Sequence, residues 1–121
     1  MANPNRVVGQ AKVTIDGITY ATSGESTLEI GGPVREAVAG DYDAGSFRET
    51  TATAKLETTL LYKGGLSLSA LRAADNVTAV LELDNGSSWI IRNGYSADMI
   101  SFGQDGKAKV VIQGPPAEEV L

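Results

Sequence analysis

The stretch from Gly31 to Tyr62, GGPVREAVAGDYDAGSFRETTATAKLETTLLY, constrains this chain most. It reads as a short strand over residues 34–39, a polar loop over residues 40–49, and a strand over residues 50–62. The last of these is about twice the usual strand length, more than one small core can cover. Alternation places Ala52, Ala54, Leu56, Thr58 and Leu60 on its inward face, and Thr51, Thr53, Lys55, Glu57, Thr59 and Leu61 on the other. The first half of the inward face is alanine only, which suits close approach of another backbone layer. A small domain does not build such an arm unless something packs on it. The pattern therefore predicts a protein that completes itself by assembling with its own copies.

The loop holds Asp41, Asp43, Arg48 and Glu49 around two aromatics, Tyr42 and Phe47. Aromatics in a polar, glycine-containing loop are candidate anchors for a protein partner. The alternative is that they fold back on their own domain. Asp41-Tyr42-Asp43-Ala44-Gly45 with Glu49 faintly echoes a calcium loop, but it lacks the third early oxygen ligand and the glutamate at the twelfth position. A solvated or interface loop is expected there instead, with no metal and no cofactor.

The rest of the chain is rich in strand signals. Ala11, Val13 and Ile15 alternate with Lys12 and Thr14, and Asp16-Gly17 makes a hairpin turn into residues 18–20. Over residues 25–30, Ser26, Leu28 and Ile30 face one way and Glu25, Thr27 and Glu29 the other. Gly31-Gly32-Pro33 breaks that strand, and Val34, Glu36 and Val38 share a side of the next. Residues 67–74 form the one helix candidate, capped by Ser67 or Ser69, and two turns must be docked to be stable. Residues 77–83, 89–92, 95–102 and 107–113 then read as strands separated by Asn-Gly and Asp-Gly turns, with Trp89 expected in the core. Pro115-Pro116 ends the last strand before a short acidic–apolar tail. The expected fold is a single, mainly β domain: a β-sandwich or open barrel with one short flanking α-helix. Residues 1–9 are an expected N-terminal arm, and residues 114–121 a C-terminal tail.

Composition narrows the functions. The chain of 121 residues has no cysteine and no histidine, so it lacks a thiolate nucleophile, a zinc–sulfur site and the commonest general base. An enzyme is not expected, and paired glutamates such as Glu25 and Glu29 read as a solvated strand face rather than glycosidase acids. The net charge is −5 and the basic residues are scattered, which disfavours gripping nucleic acid through a basic face. No apolar run approaches the ~20 residues of a membrane span, and the N-terminal segment has no signal-peptide core.

Asn5-Arg6-Val7-Val8-Gly9 leading into the Asp16-Gly17 hairpin, the segment GGPVREAVAGDYDAGSFRE, and the closing DGKAKVVIQGPPAEEVL together resemble the Mu-type bacteriophage tail tube protein family. The resemblance runs from Asn5 to Leu121. Its most specific parts are Arg35-Glu36 followed by Gly40-Asp41-Tyr42, and Pro116-Ala117-Glu118-Glu119. It implies hexameric rings stacked into a hollow tube, with strands of all subunits joined into one inner barrel and no catalytic site. The tube would conduct genomic DNA during ejection without binding it specifically. Partners would be copies of the chain, a tail terminator, a baseplate or tail tip, a tape measure protein, and a sheath where the tail has one. The tube would be assembled in the host cytoplasm and function in the virion tail.

On this reading the strands flanking the loop line the channel. The candidates are Glu25, Thr27, Glu29, Thr53, Lys55, Glu57 and Thr59, with the glutamates repelling phosphates. Arg35, Glu36, Asp41, Tyr42, Asp43, Phe47, Arg48 and Glu49 are the candidates for contacts between subunits and rings, with Arg35, Arg48 and Lys55 paired to acids across interfaces. Two alternatives stand beside it. One is the tube of a tailocin or a type VI-like secretion system. The other is a β-sandwich ligand-binding module, which would need an exposed aromatic platform.

Overall fold

Alternating apolar residues build ten strands and one helix among residues 3–24 and 26–120, which the structure, a computed structural model, describes. The strands are β1 (Ala11–Ile15), β2 (Ile18–Tyr20), β3 (Thr27–Glu29), β4 (Gly32–Ala37), β5 (Phe47–Ala52), β6 (Ala54–Leu61), β7 (Val77–Leu83), β8 (Ser88–Phe102), β9 (Lys107–Gly114) and β10 (Glu118–Val120). Helix α1 (Leu68–Arg72) separates β6 from β7.

The main sheet runs β2-β1-β7-β8-β9-β6-β3, with β10 added to β8, and all its pairings are antiparallel. It curls until its ends approach: Ser23 N–H donates to the Thr59 carbonyl, and Leu61 N–H to the Ala21 carbonyl. No ladder closes the curl, so it is an open barrel with β2 and β3 at its borders. The concave side holds the core, including Val13 and Ile15 from β1, Leu56 and Leu60 from β6, Leu81 from β7, Ile91 from β8, and Val110 and Ile112 from β9. Helix α1 plugs the core with Leu71, its N-cap is Ser67, whose Oγ accepts from Ala70 N–H at 3.2 Å, and Ser96 N–H ties its end to β8.

Several sequence expectations change. The long strand of residues 50–62 is two strands in two sheets, broken at Thr53, and its outer part begins earlier, at Phe47. The polar loop therefore shrinks to residues 38–46, and Phe47, Arg48 and Glu49 belong to β5. Residues 89–92 and 95–102 are one strand, β8, of 15 residues: Asn93 takes a positive φ of 55° and the chain bulges onward instead of turning back. Trp89 is half-buried between Leu81 of β7 and Glu119 of β10, packed against the core rather than enclosed by it. Ile30, expected inward, is 47% exposed because it lies at the strand break. The C-terminal tail pairs as β10.

Candidate functional site

The second sheet, β4 with β5, is a two-stranded ribbon that leaves the body. Its register continues that of β3 and β6. Glu29 lies opposite Lys55, and Gly32 opposite Ala52, three residues on along one strand and three back along the other. The two ribbons are thus one long hairpin with its ladder interrupted at residues 30–31 and 53. The inner half buries one face in the body, Ala54, Leu56, Thr58 and Leu60; from Pro33 to Thr51 every residue is exposed.

The interruption is built in. Gly31 and Gly32 have φ of 72° and 88°, a region open to glycine. A β-carbon on Gly31 would sit 2.7 Å from Ala54 N and 2.8 Å from the Thr53 carbonyl carbon, so only glycine fits. The Ile30 carbonyl accepts from Ala117 N–H at 2.9 Å, so the C-terminal segment pins the root of the arm.

Two cross-strand ion pairs brace the arm: Arg35 Nε to Glu49 Oε1 at 3.1 Å, and Arg48 Nε to Glu36 Oε2 at 3.0 Å. Arg35 also lies over the Phe47 ring, 5.8 Å from its centre. These arginines are paired within their own chain, as Lys55 is with Glu57 at 3.4 Å. Within one chain the antiparallel register sets Arg35 directly opposite Glu49 and Glu36 opposite Arg48. Such exposed pairs each contribute about 0–1 kcal/mol. They fix register but cannot hold an isolated ribbon, which is marginal in water. Meanwhile Val34, Val38, Tyr42 and Phe47 stay 45% or more exposed.

The tip is shaped as well as exposed. Gly40 N–H donates to the Asp43 carbonyl at 2.8 Å, and the Asp43 carboxylate accepts from Ser46 Oγ at 2.9 Å and Gly45 N–H at 3.2 Å. The Ser46 and Gly45 hydrogen bonds hold the Asp43 carboxyl below its ordinary pKa, so it stays charged. Tyr42 projects from this turn at φ 64°.

The second surface is the outward face of the β3–β6–β9–β8 sheet. Pairing of Thr27 with Glu57 and Glu29 with Lys55 places Thr27, Glu29, Lys55, Glu57 and Thr59 on one face, as alternation implied. Thr53 lies in the break and belongs to neither ladder; Glu25 lies outside the described residues. The same face carries Lys107, Lys109, Val111 and Gln113 of β9, which the sequence reading left out. They alternate with Ala108, Val110 and Ile112, so the phase of the core residues already implied them. Among the described residues Lys107 and Lys109 form no ion pair. The face expected to be acidic is therefore of mixed charge.

The N-terminal arm is tied down at its base. Asp84 accepts from Gly9 N–H at 3.0 Å and pairs with Arg6 at 3.3 Å. The backbone N–H groups of Gly9 and Gln10, with Arg6 adding to them, lower the Asp84 pKa. Val7, between these contacts, is 80% exposed. No group of acidic side chains among the described residues is arranged to hold a metal, and no helix among them is long and apolar enough to cross a membrane.

Comparison with known proteins agrees with this geometry. The sequence pattern of a family described as phage tail tube protein matches residues 4–119. No curated protein matches the chain. Among solved structures, Hcp1 from Flavobacterium johnsoniae superposes with a TM-score of 0.54 at 9% identity, over 91% of this chain and 98% of that one. At that identity the likeness concerns the fold alone.

Proposed function

The chain belongs to the phage tail tube protein family, and from that premise we propose that its copies join head to tail into hexameric rings, which stack into a hollow conduit for the phage genome. It is a tube protein and a component of the tail, and it works as a scaffold without catalytic chemistry. The observation that carries the assembly is the arm: 19 consecutive residues, 33–51, exposed on both faces of a ribbon that cannot stand alone. A neighbouring copy supplies what the arm lacks, while the open borders at β2, β3 and β10 offer strand edges to the same neighbours. A heterologous contact of this kind closes into a ring when its rotation permits.

In the ring, the outward face of the β3–β6–β9–β8 sheet lines the channel, with Thr27, Glu29, Lys55, Glu57 and Thr59 on the wall and Thr53 at its rim. The arm, with Arg35, Glu36, Asp41, Tyr42, Asp43, Phe47, Arg48 and Glu49, reaches the next subunit or ring. The lysines of that wall are interspersed with Glu29, Glu57 and threonines, so DNA meets no continuous basic track and gains little from counterion release. The terminator, tail tip and tape measure protein meet the ends and lumen of the same tube.

Electron microscopy of purified protein, alone and with its tail tip, tests this reading. Stacked rings with an axial hole are expected. A species that stays monomeric at high concentration and does not extend from a tail tip would refute it.

A further inference from the structure

Two clefts, one against α1 and one between β2 and the segment leading into α1, share Gly65 and Leu66. One, of about 520 Å³, is lined by Tyr62, Leu66, Leu68, Arg72, Ile100 and Phe102 among others. The other, of about 320 Å³, adds Ile18, Leu61 and Lys63. Their lining mixes polar groups with exposed apolar and aromatic ones: Phe102 is 63% exposed and stacks edge-on to Tyr62 at 5.0 Å, Ile18 is 58% exposed, and Ser67 and Ser69 stand beside them. Their only charged lining residues are cations. Lys63 and Arg72 form no ion pair among the described residues, and no carboxylate lines either cleft.

The tip of the arm has the opposite character. Tyr42 stands fully in solvent between Asp41 and Asp43 on a turn already fixed by its own hydrogen bonds. We propose that the Asp41-Tyr42-Asp43 tip of one copy seats in the cleft beside α1 of another, with Tyr42 against Phe102 and Leu66 and the two carboxylates facing Lys63 and Arg72. The inference rests on the tube reading and names the receptor that the arm meets.

Charge complementarity favours this cleft. A groove of similar size, about 550 Å³ over β1, β2 and the end of β7, is more apolar but sets Glu82 and Asp84 against a single lysine, Lys12, with Asp84 already paired to Arg6. A third cleft beside Phe102 holds Lys107 and Lys109 but also Asp105, whereas the lining of the clefts beside α1 carries cations and no acid. The occupant is a second copy, because the arm cannot turn back on its own body. Its root is fixed by the tight fit of Gly31 against Thr53 and Ala54 and by Ala117, and its tip is free of its own cleft. A preorganised aromatic flanked by charges is the form that dominates interface energetics, since little ordering entropy is lost on docking.

The absence of native cysteine permits a clean test. Full-length Ala44→Cys/Ser69→Cys protein, with Ala44 exposed beside the tip and Ser69 on α1 lining the cleft, is oxidised after assembly and run on a non-reducing gel, and the same sample is imaged. Ala44→Cys/Lys12→Cys, which samples the other groove, is run beside it. Tubes with an intermolecular ladder only in the Ser69 pair are expected. Tubes with no ladder in that pair, or with the stronger ladder in the Lys12 pair, overturn the docking while leaving the tube intact. Absence of tubes from both variants and from the unmodified chain overturns the tube reading and the docking with it. In a second measurement, Tyr42→Ala is expected to raise the critical concentration for assembly about thirtyfold, the scale of a central aromatic anchor. An unchanged critical concentration would contradict the proposal.

Discussion

At the scale of single residues, a few positions set what the chain can build. Gly31 combines a φ of 72° with backbone at 2.7 Å from where a β-carbon would sit. Gly31→Ala is therefore expected to destabilise the chain by roughly 1–3 kcal/mol, read as a lower midpoint in urea unfolding. A variant as stable as the parent would mean that the root of the arm is looser than described. Asp84 gives a pH prediction. Its folded pKa is lowered chiefly by the Gly9 and Gln10 N–H groups. Its contribution is thus complete above the unfolded aspartate value, near pH 4, and lost as pH falls through the lower folded value. Hydrogen exchange at Gly9 and Gln10 should accelerate relative to the core as the sample is acidified below about pH 4, and Asp84→Asn should show the acceleration at neutral pH. Equal protection in Asp84→Asn would remove the latch from the account.

At the scale of elements, the inner strands were readable and the arm was readable in part. Ala11, Val13 and Ile15, or Ala108, Val110 and Ile112, alternate without interruption because one face of each strand meets the core. The candidate channel face followed from the same rule on β3 and β6. The break at Thr53 was not legible, since the alternation runs unchanged through Ala52 and Ala54. What breaks the ladder lies on the opposite strand and in the C-terminal segment, where Gly31 crosses close and Ala117 takes the Ile30 carbonyl. The cis pairing of Arg35 and Arg48 needed a register that only the turn geometry of residues 38–46 supplies. The cleft beside α1 joins Ile18, residues 61–72 and the end of β8, which no local pattern connects. The arm leads to a prediction at this scale. Replacing residues 38–46 with Asn-Gly keeps the strands in a two-residue hairpin. Because the removed residues are exposed, thermal unfolding of the monomer should shift by no more than a few degrees, within the range of surface changes. Tube assembly should be lost. Normal tubes from this variant would remove the tip from the interface.

At the scale of the whole molecule, the chain divides into a self-sufficient body and a ribbon that is not. Buried residues from β1, β6, β7, β8, β9 and α1 give the body its core, while Val34, Val38, Tyr42 and Phe47 hold apolar surface in water. A soluble monomer gains nothing from such a surface, and a tube subunit requires it. Much of the acid of the chain lies on the arm and at the ends of the sheet rather than on the candidate wall, where Lys109 lies opposite Thr59 and Lys107 opposite Leu61, further along β6 from Glu29 and the Lys55–Glu57 pair. The most direct test is hydrogen exchange over residues 33–51, compared between the free monomer and assembled material. The account predicts exchange near the unstructured rate in the monomer and strong protection of the same amides after assembly. Protection already present in the monomer, or exchange that stays fast in the assembled state, would contradict it.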